Sequence, residues 1–450
     1  MVRRVRMRFP APQTRARQPP AGLPPTHRRA VAVALVLAAL GLIVAASGCG
    51  SGLRDADSDD ARADVDAIAH TSCASTALQA LGAVATRVYR EGVSSERTVS
   101  ALRMIESSPA LRTAVERGDA RAAQAAARAL IATGHMTNLR VVRGARVLVD
   151  QGGGAVAPLN GTLDDAAGKP MASFQTSVWA EGGLIAEING IAEAQTVLRT
   201  AGRPASAQRD VAGAIALPRG ELPPQGTLTR AGVAYEFTSF AAAGYPAGDP
   251  LRVYVLRTIA STAPLCGADD EETTFNTVSR IAHLIYDGEA GRRTLKQVRR
   301  VQGNAPLLHA VARRDAKATR KAIEALLHQH IVRLRVSAGG RLLSDVGGPF
   351  VLAPVTAPLR LGDRTVGSFV MSIQDDEGYK RLANRLAGLD VLMYMGAKLV
   401  KSTLGPSPGT IPTSGPVRVR GRSYRAYTFT ARAFPAGPLR ITVLIPLPYS

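Results

Sequence analysis

The chain carries one pattern of apolar and polar positions twice. In the second half, apolar residues recur every three to four positions over residues 278–285, which predicts a helix. A run of strong helix formers at Thr319–His328 predicts another helix, and the alanine-rich run 121–131 is its counterpart in the first half. Each half therefore begins with helices.

Alternating patterns follow the predicted helices. In the first half, LRVVRG and RVLVDQGG alternate around a tight turn at residues 143–145, which predicts a β-hairpin. A strand through Phe174, or through Phe369 in the second half, comes next. A short helix then begins, with Asp375 or Asp376 as its N-cap in the second half. Three strands close each half; in the second they are VLMYM, RSYRAYTFTA and LRITVL.

The two halves also match residue by residue. Residues 139–153, LRVVRGARVLVDQGG, align with residues 334–348, LRVSAGGRLLSDVGG. The final hairpins share Pro-Ala-Gly and Pro-Leu-Arg, with one residue inserted in the first half. We interpret the chain as two copies of one domain, repeat 1 at residues 72–267 and repeat 2 at residues 274–450, joined by a polar stretch.

An apolar run precedes both repeats. AVAVALVLAALGLIVAASGC follows Arg28 and Arg29 and ends at Cys49, which predicts either an export signal in residues 1–48 or an uncleaved membrane anchor. In both cases the rest of the chain faces outward, at the outer face of the cytoplasmic membrane. The residues before Cys49 resemble the lipobox of bacterial lipoproteins, in which this cysteine is lipidated. Residues 49–71 are polar and Asp-rich, which is typical of a solvated tether.

The net charge of the chain is less unusual than its total suggests. The net charge is +21, but residues 1–48 hold eight arginines and no acidic residue, which leaves +13 for the remainder. The basic residues are scattered along the sequence and aromatic residues make up 4%, a composition that argues against nucleic-acid binding.

In an exported protein, Cys73 and Cys266 predict a disulfide that ties together the ends of repeat 1.

The order of elements resembles the extracellular Cache sensor domains, which are PAS-like. The resemblance is carried by the hairpin RLRVSAGGRLLSDVGG, the strand VGSFVMSIQDD with Gly378 and Tyr379 after it, and the ending YTFTARAFPAGPLRITVL. It implies an α+β fold of two tandem Cache-like domains, each with a helical N-terminal part packed on an antiparallel sheet. It further implies a small ligand, such as an organic acid or amino acid, held between the sheet and its crossing loop. No signalling module follows the last strand, so a signal would pass through a membrane partner.

The same resemblance places candidate ligand-binding residues in repeat 2. They are Arg335, Asp375, Asp376, Tyr379, Tyr394 and Tyr427. The alternative is structural, since tyrosines fill cores and aspartates cap helices. Repeat 1 has Trp179, Ala180 and Glu181 near its short helix, so we expect repeat 2 to bind the ligand. The residual positive charge favours an anion.

No motif predicts catalysis. The sequence lacks HExxH, a P-loop and paired CxxC motifs. Its one match to GxSxG is GPSPG at residues 405–409, where the proline after the serine lacks the backbone N–H that an oxyanion hole needs. His328 and His330 would share one face of a strand and could bind a metal, but a surface or helix-capping role is the simpler interpretation. We therefore expect a non-enzymatic protein without a cofactor or metal. The second hypothesis is a scaffolding envelope lipoprotein that interacts with other proteins or with acidic polymers.

Overall fold

The computed structural model describes most of the chain beyond the predicted tether. The described residues are 72–201, 208–247, 249–288, 291–327, 330–349, 351–406, 408–434 and 437–449. They belong to one compact unit, Asp60–Ser450. The predicted leader, Cys49 and the tether lie outside the described residues. Across the described ranges, no helix combines the length and the apolar character needed to cross a membrane.

Repeat 1 begins with four helices, each capped by a side chain. Ser72, Ser95, Ser108 and Asp119 accept a hydrogen bond from a backbone N–H in the first turn of the helix that follows. The helices are α1 Cys73–Ser94, α2 Glu96–Glu106, α3 Pro109–Arg117, α4 Ala120–Ala132, α5 Glu181–Ala192 and α6 Ile259–Thr262. The strands are β1 Asn138–Arg143, β2 Arg146–Gly152, β3 Ala155–Val156, β4 Leu159–Asp164, β5 Pro170–Ser177, β6 Trp179–Ala180, β7 Gln195–Thr200, β8 Asp210–Gly213, β9 Gln225–Arg230, β10 Val233–Ala243 and β11 Pro250–Thr258.

Repeat 2 follows the same order of elements. Its helices are α7 Asp270–Asp287, α8 Arg292–Gln302, α9 Ala305–Ala312, α10 Ala316–Leu327 and α11 Asp376–Ala387. Its strands are β12 Arg333–Ala338, β13 Arg341–Gly347, β14 Val351–Leu352, β15 Val355–Leu361, β16 Arg364–Ser372, β17 Gln374–Asp375, β18 Asp390–Met395, β19 Lys398–Ser402, β20 Ser414–Val419, β21 Arg422–Phe434 and β22 Gly437–Pro446. The predicted α+β class is confirmed.

Each repeat forms two main antiparallel sheets, where the sequence analysis expected one. In repeat 1 the first sheet has the order β2-β1-β5-β4 and the second has the order β8-β7-β11-β10-β9. In repeat 2 the first sheet has the order β13-β12-β16-β15. The second sheet has the order β17-β14-β21-β22-β18-β19, and β20 pairs with β21. Alternation along a strand shows which face is buried but not which strand is its neighbour, so the pattern could not separate the sheets.

Several local predictions are confirmed by the strand pairing. β1 pairs with β2 and β12 pairs with β13, as the predicted hairpins require, and the last two strands of each repeat also pair. Five strands follow α11 rather than the three that were predicted. The two missed strands, β19 and β20, are short and have few buried residues, so their alternation is weak.

One hydrophobic core is built from both repeats. Helices α1, α5, α7 and α11 pack together into what we call the helix layer. The layer contacts the second sheet of repeat 1 through α1 and α5, and the second sheet of repeat 2 through α7 and α11. The buried apolar side chains at the centre of α1 and α7 are Leu81, Val84, Val88, Val278, Ile281 and Ile285. Each long helix therefore buries apolar surface against the other repeat as well as its own.

The same tyrosine contact fixes each long helix to its own repeat. The Tyr89 hydroxyl of α1 accepts a hydrogen bond of 2.9 Å from the backbone N–H of Ala243, at the end of β10. The Tyr286 hydroxyl of α7 accepts one of 2.9 Å from the N–H of Arg432, near the end of β21. In both cases the tyrosine anchors the final hairpin, which is the stretch that the two halves repeat most closely.

The predicted disulfide between Cys73 and Cys266 is present. It connects the first residue of α1 to the segment before α7, with the two Cα atoms 5.5 Å apart. Beside it, the Thr76 hydroxyl donates a 2.6 Å hydrogen bond to the carboxylate of Asp270. The two contacts hold the starts of the long helices together at one end of the helix layer.

Removing this disulfide should destabilise the whole fold. Because it closes a loop with a sequence separation of 193 residues, we expect Cys73→Ser with Cys266→Ser to lose about 2–5 kcal/mol of unfolding free energy. Urea unfolding followed by circular dichroism measures the loss, and the reduced parent protein should match the variant. An unfolding free energy equal to that of the oxidised parent would contradict the prediction.

Candidate functional site

Arg335 lies on β12 in an ion pair that crosses to β13. Its Nη2 is 2.8 Å from Oδ2 of Asp345, and its guanidinium lies 4.7 Å from the centre of the Phe434 ring. Arg333 binds the same carboxylate at 2.8 Å. Burial alone would raise the pKa of Asp345, but hydrogen bonds from both arginines outweigh it and lower that pKa. Arg335 is therefore held in an ion pair with Asp345, which it shares with Arg333.

The three candidates at the start of α11 are Asp375, Asp376 and Tyr379, and two of them support the helix. Asp375 is its N-cap, with Oδ1 accepting from the N–H of Gly378 at 2.6 Å. Tyr379 is fully buried and donates a 2.9 Å hydrogen bond to the carbonyl of Ala282 on α7. The capping prediction for Asp375 is confirmed, and Tyr379 is a core residue of the helix layer.

Asp376 is a buried carboxylate. It is 5% exposed, and its Oδ2 lies 3.6 Å from Nζ of Lys401. Burial raises the pKa of Asp376, while Lys401 acts in the opposite direction. The carboxylate therefore has one nearby positive charge and little contact with solvent.

The remaining candidates lie elsewhere in the fold. Tyr394 on β18 packs under the guanidinium of Arg440, 4.8 Å from its ring centre. His330 is exposed in the turn before β12, and His328 lies outside the described residues, so the metal hypothesis for this pair stays a prediction. Tyr427 on β21 lines a pocket, and this pocket has features that the sequence did not reveal.

This pocket, which we call the inter-repeat pocket, has a volume of about 640 Å³. Repeat 1 contributes the end of α5, the end of β11 and the segment before Cys266, while repeat 2 contributes α7 and β21. The lining residues are Glu193, Arg257, Ser261, Pro264, Leu265, Phe275, Asn276, Ser279, Arg280 and Tyr427. The pocket therefore exists only where the two repeats meet.

Arg257 is the most buried charge on the pocket wall, at 5% exposure. It donates hydrogen bonds of 2.8 Å to the carbonyl of Ala192, the last residue of α5, and of 2.7 Å to the carbonyl of Ser261. These contacts place a guanidinium at the negative end of the α5 dipole. Burial lowers the pKa of Arg257, opposed by the nearby Glu193 carboxylate.

Glu193 connects the repeats across the pocket. It is the C-cap of α5 and adopts a left-handed backbone with φ of 46°. Its carboxylate lies 3.9 Å from Nη2 of Arg257 and accepts hydrogen bonds from Arg280 on α7, one of them 3.2 Å long from Nε. The hydrogen bond with Glu193 raises the pKa of Arg280. Two guanidinium groups thus share one carboxylate.

Three buried polar atoms near this charge group lack partners among the described residues. They are Nε of Arg257, Oγ of Ser279 and Oε2 of Glu236. Glu236 lies directly across from Arg257 in the β10–β11 register. Buried polar groups are nearly always hydrogen-bonded, because an unpaired one costs about 1–3 kcal/mol. Of the three residues, Arg257 and Ser279 line the pocket, so its wall is suited to a polar occupant that supplies their missing partners.

Another part of the pocket lining is aromatic. Phe275 on α7 and Tyr427 on β21 meet edge to face, with ring centres 6.0 Å apart. Burial raises the pKa of Tyr427 above its ordinary value, which already lies well above neutral pH, so its hydroxyl is available as a hydrogen-bond donor. An apolar wall with a few convergent polar groups is typical of small-molecule sites.

Most of this site could not be recognised from the sequence. Arg257 and Arg280 belong to different repeats, and each lies alone in its stretch of sequence. The one available signal was Arg257, which directly follows the apolar run VYVL of β11. All four residues of this run are buried in the second sheet of repeat 1. A charge at the end of such a strand marks a place where burial and polarity meet.

Comparison with known proteins adds little to this geometry. No protein-family model and no curated protein matches the chain. An extracellular ligand binding receptor from Desulfohalobium retbaense aligns with 41% of this chain and 39% of its own length, at 12% identity and a TM-score of 0.22. The aligned part spans well under two thirds of that receptor. So weak a likeness carries no argument about fold or ligand.

Substitutions at Asp375 and Asp376 should have opposite effects on stability. Asp375→Ala removes the cap of α11 and should lower the unfolding free energy by about 1 kcal/mol. Asp376→Asn should raise it at pH 7, because burial raises the folded-state pKa and the charged carboxylate disfavours the fold at high pH. The gain should vanish as the pH falls below the ordinary Asp pKa.

Urea unfolding of both variants between pH 3 and pH 7 provides the measurement. Asp375→Asn is the matched control, since asparagine caps helices as well as aspartate does. A loss of stability in Asp376→Asn at pH 7 would show that attraction to Lys401 outweighs burial.

Proposed function

We propose that this protein binds a small organic anion in the inter-repeat pocket, outside the cytoplasm. The observation that carries the proposal is the buried guanidinium of Arg257, whose Nε is unpartnered, on the wall of a pocket of about 640 Å³. Small-molecule sites in proteins usually measure about 300–1,000 Å³. The pocket therefore has both the size and the charge for an organic acid or a molecule that carries a carboxylate.

The charge balance favours an anion. Among the described residues that line the pocket, Arg257 and Arg280 are positively charged and Glu193 is the one carboxylate; Glu236, across from Arg257, is not part of the lining. A carboxylate binds guanidinium groups through charged hydrogen bonds, which are stronger than neutral ones. Ser279 and Asn276 on α7 can supply further hydrogen bonds, and the rings of Phe275 and Tyr427 can cover an apolar part of the same molecule.

A ligand in this position would touch both repeats. Its anionic group would lie near Arg257 at the end of β11, and it would reach Arg280 on α7. Binding would add contacts across the helix layer and so stabilise the arrangement of the two repeats. A membrane partner that contacts both repeats would then respond to this stabilised arrangement, and so to the presence of the ligand.

The proposed location rests on the disulfide and the leader. Disulfides persist in oxidising compartments, and Cys73 and Cys266 form one. We propose that residues 1–48 direct export and that Cys49, through a lipid, or the apolar run itself holds the chain at the outer face of the cytoplasmic membrane. The role proposed is binding without catalysis.

Ligand binding should depend on Ser279 and Arg280. We would screen carboxylates and amino acids by thermal unfolding of the full chain in detergent. A ligand at 100 times its dissociation constant should stabilise the fold by about 2.7 kcal/mol, which raises the unfolding temperature. For any hit, Arg280→Gln should weaken binding at least about tenfold, because a charged hydrogen bond contributes about 1.5–3 kcal/mol, and Ser279→Ala should weaken it less.

Arg432→Gln is the matched control for this experiment. Arg432 lines a different pocket of about 340 Å³ beside Tyr286 and Asp287, so its substitution should leave the affinity unchanged. A ligand whose affinity is equal in the parent, Arg280→Gln and Ser279→Ala would show that the inter-repeat pocket is not its site.

A further inference from the structure

The expectation that the basic residues are scattered is wrong for the chain beyond residue 48, because most of its net positive charge lies in one part of the fold. Residues 292–372 contain α8–α10 and the first sheet of repeat 2, which enclose a core of their own; we call them the basic lobe. This lobe has 15 Lys and Arg against 4 Asp and Glu, a formal charge of +11. The equivalent residues 96–177 of repeat 1 have 10 against 7, a charge of +3. Because the two lobes share one architecture, the fold itself does not require the difference.

The additional charge lies on the outer surface of the helices. The exposed basic residues on or beside α8–α10 include Lys296, Arg299, Arg313, Lys317 and Lys321. None of these five forms an ion pair with another described residue. Three of the seven lysines of the whole chain lie on α8 and α10, so a general preference for arginine does not explain the cluster.

The acidic residues of these helices are already used locally. Asp315 caps α10 by accepting a 2.9 Å hydrogen bond from the N–H of Ala318. Glu324 pairs with Arg320 one turn earlier on the same helix, at 2.9 Å. Neither carboxylate neutralises the lysines. The surface therefore attracts anions over a long range at low salt.

The two basic helices are joined at one point. The Arg300 side chain of α8 donates a hydrogen bond to the carbonyl of Leu326 at the end of α10, so the two helices meet there. Along α10, Lys317 and Lys321 are one turn apart, about 6 Å along the axis. Positive charges spaced in this way suit a chain of regularly spaced anionic groups.

We propose that the basic lobe binds a linear, phosphate-rich polymer through α8 and α10. Such binding is driven by release of the counterions around the polymer and requires no pocket. A membrane surface fits less well, because it needs basic and apolar groups on one plane. The exposed Leu295 lies on α8, whereas the exposed Leu342 pairs with Ser337 on the sheet face turned away from the helices.

Repeat 1 provides a charge-matched control for the test. One variant carries Lys296→Gln, Lys317→Gln and Lys321→Gln in the basic lobe. The control carries Arg103→Gln, Arg121→Gln and Arg128→Gln, three exposed residues on the equivalent helices α2 and α4. Both variants lose three positive charges. Their thermal melts should match that of the parent.

Binding of fluorescent inorganic polyphosphate to the full chain in detergent is measured at several salt concentrations. The basic-lobe variant should bind at least about tenfold more weakly at low salt, and the slope of log K against log salt should fall by roughly one for each phosphate that the variant no longer neutralises. The control should change the affinity less than about threefold. Equal decreases in affinity in both variants, or no binding by the parent at about 50 mM salt, would overturn the proposal. So would lobe-dependent binding to anionic lipid vesicles without binding to polyphosphate.

Discussion

The structure depends on the burial of the helix layer between the two repeats. Helices α1 and α7 each have an apolar side that contacts the other repeat, and their central side chains, among them Val84 and Ile281, are almost fully buried. Burying such a side chain stabilises a fold by about 1.5–3 kcal/mol relative to leaving it in water. A separated repeat would expose this surface, so we expect the repeats to fold as one cooperative unit.

The proposed site follows from this arrangement. Where the repeats meet beside Cys266, the end of α5 and the start of α7 leave a space that apolar side chains do not fill. Arg257 enters this space from a buried strand, and Arg280 reaches it from α7. Glu193 holds the two guanidinium groups together, and the buried polar atoms that have no partner nearby define the chemistry of the proposed ligand. The basic lobe lies on different elements and requires only a charged surface.

The sequence predicted local features better than relations between elements. The hairpins, the Asp375 cap and the disulfide depend on neighbouring residues or on the cysteine count, and the structure shows each of them. The division into two sheets per repeat depends on pairing between distant strands, which alternation does not encode. The pocket was missed for the same reason, because Arg257 and Arg280 come together only through the helix layer. Tyr379, which the resemblance assigned to a ligand, is fully buried and donates its hydrogen bond to the carbonyl of Ala282 on α7.

Cooperativity between the repeats is the most direct test of this account. Trp179 in repeat 1 is the only tryptophan of the chain, and Leu392 is fully buried in a core cluster formed by repeat 2 alone. Leu392→Ala should cost about 2–5 kcal/mol. We predict that the urea midpoints from Trp179 fluorescence and from circular dichroism fall together by the same amount. An unchanged Trp179 midpoint, with a separate second transition in circular dichroism, would show that the repeats fold independently and would contradict the account.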